Sequence, residues 1–142
     1  MQDRLLLVAA VAIAGVLLAC GAFKKVEQCN ALVDKINTAQ QAARRADSSE
    51  QASADELKKL AGVLEQLAKD IEVMDINNAQ LRGYADEYRQ MVSEMAAASR
   101  KLIAAVEAED LARATAAKAE MDAVSAKEDG LVAKINGFCG AQ

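Results

Sequence analysis

Leu57-Lys58-Lys59-Leu60-Ala61-Gly62-Val63-Leu64-Glu65-Gln66-Leu67-Ala68-Lys69-Asp70-Ile71-Glu72-Val73-Met74 is the stretch that decides the fold. Leu57, Leu60, Leu64, Leu67, Ile71 and Met74 recur in alternating steps of three and four, the spacing that lines up one face of an α-helix. Ser53-Ala54-Asp55-Glu56, just before it, has the form of a capping box: the Ser53 hydroxyl accepts from the Glu56 amide, and the Glu56 side chain reaches back. Asp75-Ile76-Asn77-Asn78, just after it, supplies turn and capping residues.

Outward from this helix the same period continues. A helix over about 79–108 places Leu81, Tyr84, Tyr88, Met91, Met95, Ala98 and Leu102 on one face. Glu109-Asp110 is read as the start of the next helix, because acidic side chains suit the positive end of the helix dipole. That helix carries Ala114, Ala117, Met121, Val124, Leu131, Ile135 and Phe138, with Glu128 in the same register. Asp129-Gly130 is its weak point, expected to kink it or to cap a separate last segment. Upstream, a helix over about 22–46 presents Val26, Cys29, Val33, Ile36 and Ala43, interrupted by Gln40, and a polar linker spans 47–52. The expected fold is all-α, an antiparallel up-down-up-down four-helix bundle with coiled-coil-like heptad spacing. The alternative is an open three-helix arrangement with the first helix detached as a stalk.

Composition agrees with a helical chain. There is no Pro, Trp or His, and aromatic residues make up 3% of the 142 residues. Without histidine, Ser-His-Asp and Cys-His catalysis and the Glu-x-x-His di-iron pattern are excluded. No glycine-rich phosphate-binding loop is present either. No enzymatic activity and no cofactor are expected. A net charge of −4 lacks the basic face that nucleic acid requires.

Met1-Gln2-Asp3-Arg4 is followed by an apolar run from Leu5 to Ala19. This run is shorter than the roughly 20 residues of a membrane-spanning helix and suits the apolar region of a secretory signal. It closes on Leu17-Leu18-Ala19-Cys20, which resembles the lipobox of bacterial lipoproteins, although Leu18 stands where Ala or Ser is more usual. The resemblance implies removal of residues 1–19, diacylglycerol and acyl (palmitate-type) modification of Cys20, and a mature domain over 20–142. Gly21 in place of Asp implies sorting to the outer membrane, facing the periplasm. An uncleaved signal anchor is the alternative, and Lys24 and Lys25 beyond the run are awkward flanks for it.

Two cysteines remain. In an up-down-up-down bundle Cys29 and Cys139 share one pole. Counting helix rise from the first turn puts them about 25 Å and about 33 Å down the bundle, a mismatch for the loops or a bend at Gly130 to absorb. Export would place both in an oxidising compartment, so a Cys29–Cys139 disulfide is expected; the alternative is two reduced, buried thiols.

Tyr84, Tyr88, Met91 and Met95 form an aromatic and thioether stripe. Packing explains it first; a pocket for a hydrophobic ligand or a metal ion, with Glu128, is the functional reading. A carboxylate in core register must find a partner or turn outward, and solvent exposure beside Gly130 or a structural ion pair is the expectation. Asp47, Glu50, Asp55, Glu56, Glu107, Glu109 and Asp110 gather at the pole away from Cys20, a candidate docking surface for an envelope protein. Lys24, Lys25 and Lys134 gather near the membrane pole. The function expected is that of a non-enzymatic, membrane-anchored envelope lipoprotein, an interaction or scaffold module, similar to small helical envelope lipoproteins. The alternative is a helical-bundle binding protein for a hydrophobic ligand or metal ion.

Overall fold

The computed structural model describes residues 23–41, 44 and 54–140. Four helices cover them: α1 over 23–41, α2 over Ala54–Glu72, α3 over Ala79–Glu107 and α4 over Leu111–Gly140. Among the described residues there is no strand. The helices form the expected antiparallel four-helix bundle, with α1 packed into the core. Residues 1–22, with Cys20, lie outside the described residues, as do Ala43, Asp47, Glu50 and Ser53.

The stripes read from the sequence become the core. On α2, Ala61, Leu64, Leu67 and Ile71 are buried, while Leu57 and Leu60 are half-buried. On α4, Ala117, Val124, Leu131 and Ile135 are buried. Each aliphatic side chain withdrawn from water contributes roughly 1.5–3 kcal/mol. α3 lies against both α2 and α4, so one stripe does not describe it. Ala85, Val92, Ala96, Ser99 and Ile103 are buried alongside Leu81, Tyr88 and Met91. On α1 the buried face is Cys29, Leu32, Ile36 and Ala39, a stripe rotated from the expected one, with Val33 only partly buried.

Three boundaries differ from expectation for local reasons. α2 ends at Glu72, not Met74: the chain leaves the helix through bonds from Val73 N–H to Lys69 O and from Met74 N–H to Ile71 O. Ile76, in the extended link to α3, is buried in the core, and Asn78 caps α3 by accepting from Leu81 N–H at 3.0 Å. Glu109 does not begin α4. It adopts φ 53° and ends α3: Asp110 N–H reaches Ala105 O and Glu109 N–H reaches Val106 O, the Schellman arrangement. Asp110 then caps α4, accepting from Arg113 N–H at 3.0 Å. Finally, α4 runs unbroken through Gly130.

Cys29 and Cys139 are joined in a disulfide, their Cα atoms 5.6 Å apart. The anticipated offset is resolved without a break in α4. Gln40, near the end of α1, bonds Glu128 in the middle of α4, so α1 lies further toward the disulfide pole than α4's first turns. Ion pairs fix the register of each neighbouring pair: Lys35–Asp70 between α1 and α2, Arg100–Glu65 between α2 and α3, Lys127–Glu94 between α3 and α4. The hydrogen bond from Lys35, with that from Gln66, holds the Asp70 carboxyl below its ordinary value. These groups are exposed, so they align helices more than they stabilise them.

Candidate binding cleft

A cleft of about 470 Å³ opens where the end of α1 meets the other three helices. Leu60 and Leu64 of α2, Met91 and Met95 of α3 and Met121 of α4 form its apolar wall. Its polar side is built by Gln40 and Arg44 of α1, Tyr88 of α3 and Glu128 and Asp129 of α4. A volume of this size with apolar walls and a few converging polar groups is typical of small-molecule sites.

Glu128 is the chemical centre. It is neither turned to solvent nor ion-paired, contrary to the expectation from Gly130. Because α4 is continuous through Gly130, the heptad register carries the side chain inward, where it is half-buried. Its Oε1 accepts from Gln40 Nε2 at 3.1 Å and from the Tyr88 hydroxyl at 3.3 Å. Among the described residues no Lys or Arg pairs with it, and the adjacent Lys127 is taken by Glu94 at 3.2 Å. Tyr88 is 1% exposed. Burial, then the nearby Glu128 charge and its hydrogen bond, pushes the Tyr88 hydroxyl well above its ordinary value, so it remains a proton donor to the carboxylate.

Of the residues singled out in the sequence, Tyr88, Met91, Met95 and Glu128 line this cleft and Tyr84 does not. Tyr84 faces the disulfide pole, where its ring meets Phe138 edge-on with centroids 5.9 Å apart and its hydroxyl accepts from Gln80 at 2.9 Å. Lys25 sits 4.4 Å from the Phe138 ring centroid. Sequence reading missed Gln40, Arg44, Ser125 and Met121 as cleft residues. Gln40 had left a signal, since a polar residue broke the α1 stripe at the point where a partner for Glu128 was needed. The others follow only from how the helices are rotated against one another.

At the opposite pole, Glu107 pairs with Lys58 at 2.5 Å and Asp110 with Arg113 at 3.3 Å. The acidic character of that pole is therefore interleaved with cations, and Asp110 is occupied as a cap. Among the described residues no group of three or more His, Cys, Asp or Glu is arranged to hold a metal ion. No described helix is long and apolar enough to cross a membrane.

Fold and cleft together define a helical bundle that carries an amphipathic cleft. No protein-family model, no curated protein and no solved structure matches the chain.

Proposed function

We propose that the chain is a bacterial envelope lipoprotein, anchored to the outer membrane through acylated Cys20, whose periplasmic bundle serves as a non-enzymatic interaction or scaffold module. The Cys29–Cys139 disulfide supports this reading most. Such a bridge persists in an oxidising compartment, and its formation leaves Cys20, at the end of the apolar run, as the one remaining thiol of three. The bridge also ties α1 to α4 near the start of α1, nine residues after Cys20 in the sequence. Phe23, largely exposed at the start of α1, and Lys24 next to it suit contact with a lipid interface and anionic head groups.

Intact mass and fractionation of the wild type beside Cys20→Ser test the anchor. Diacylglycerol and acyl mass on the wild type, with the substituted protein released from membranes, is the expected result. An unmodified wild type that still carries residues 1–19 overturns it in favour of a signal anchor. A partner docked at the distal pole would be lost on combining Glu107→Gln with Glu109→Gln; unchanged cross-linking in the envelope removes that role.

A second reading has its own support. The cleft beside Tyr88 and Met91 suits a bundle that holds a small hydrophobic ligand between its helices, and the anchor would keep such a binding protein at the membrane. A metal ion suits it less. Soft thioethers from three methionines beside the hard carboxylates of Glu128 and Asp129 make a mismatched donor set.

A further inference from the structure

We infer that the cleft selects an organic amine, a protonated ammonium group carried on an apolar body; this rests on the ligand-binding reading above. The polar side of the cleft holds two carboxylates, Glu128 and Asp129, against one guanidinium, Arg44. Glu128 is the inner of the two. Tyr88 and Gln40 both donate to its Oε1 and fix its position, while its Oε2 has no hydrogen bond among the described residues. Two neutral donors satisfy hydrogen bonding without supplying a counter-charge. A half-buried carboxylate in that condition gains most from a cation brought in from outside, because burying a charge is costly until it is paired.

The chemistry distinguishes ligand classes. A ligand ammonium donates up to three charge-assisted hydrogen bonds and neutralises Glu128. A neutral ligand of the same shape would further desolvate the carboxylate without pairing it. An anion would meet Glu128 and Asp129 with, among the described residues lining the cleft, only Arg44 to offset them. Leu60, Leu64, Met91, Met95 and Met121 then take the apolar body, and the unbranched thioethers adapt to its shape.

Calorimetric titration of the full chain in zwitterionic lipid nanodiscs, with empty discs as the blank, tests this using 4-phenylbutylamine, 4-phenylbutanol and 4-phenylbutanoate. The amine should bind about tenfold or more tightly than either analogue, the scale of one charge-assisted hydrogen bond. Glu128→Gln should erase that preference, so that the amine loses its roughly tenfold advantage over the alcohol. Ser125→Lys, at an exposed position one turn before Glu128, tests the same point if Glu128→Gln fails to fold. Its own ammonium should occupy the carboxylate and abolish amine binding selectively. Equal binding of amine and alcohol, or tighter binding of the carboxylate probe, overturns amine selection while leaving the cleft a ligand site. No binding of any probe overturns both.

Discussion

Glu128 occupies a position that the heptad spacing of α4 assigns to an apolar side chain, and two polar residues have been placed to meet it. Tyr88 and Gln40 come from α3 and α1, 40 and 88 residues away in the chain. The Tyr88 hydroxyl should therefore matter to stability in a pH-dependent way. Tyr88→Phe is expected to cost about 1 kcal/mol at pH 7, the worth of one hydrogen bond. The Tyr88 proton is held more tightly in the folded chain than in the unfolded one. Its contribution is thus complete below the ordinary tyrosine value of about 10 and is lost as pH rises beyond it, because the unfolded chain releases the proton first. At pH 11 the wild type should have lost about 1.4 kcal/mol through this group, more than closing the gap to Tyr88→Phe. Denaturant titrations at the two pH values check this; a gap that stays constant would mean that the folded chain does not hold the Tyr88 proton more tightly than the unfolded one.

At the scale of elements, the corner between α3 and α4 is the most tightly specified. Ala108, Glu109 and Asp110 close one helix and open the next. The cost falls on Glu109, whose left-handed backbone (φ 53°) suits glycine far better than a residue with a Cβ. Glu109→Gly should raise stability by about 0.5–1 kcal/mol, net of the greater freedom glycine gives the unfolded chain. A thermal melt that falls instead would mean that the Glu109 side chain makes a contact worth more than the strain. Gly130 presents the opposite case. It sits inside a continuous helix with nothing within 4 Å of where a Cβ would lie, so it neither interrupts α4 nor makes room for a close neighbour. A glycine is only a licence to break a helix, and here the buried residues on either side, Val124, Leu131 and Ile135, keep α4 continuous.

For the molecule as a whole, the disulfide closes nearly the entire domain, with 110 residues between its ends. In the chain-entropy account a loop of this length contributes about 4–5 kcal/mol by restricting the unfolded state. Reduction, or a paired Cys29→Ala and Cys139→Ala change, should lower the melting temperature by about 10 °C or more. A shift of a degree or two would mean that packing of α1 is sufficient without the bridge. The amino-acid sequence by itself determined the class of fold, because amphipathic period and absent helix breakers are local properties. The stripe from Leu57 to Ile71, the cap at Asn78 and the pairing of Cys29 with Cys139 were all legible there. Tertiary structure alone decided the rotation of α1, the doubled buried face of α3, the assignment of Tyr84 to the disulfide pole and of Tyr88 to the cleft, and the inward turn of Glu128. Period fixes which residues share a face, but the neighbour to which that face turns depends on how all four helices pack at once, and a polar residue's fate depends on the partners that packing brings within 3.5 Å.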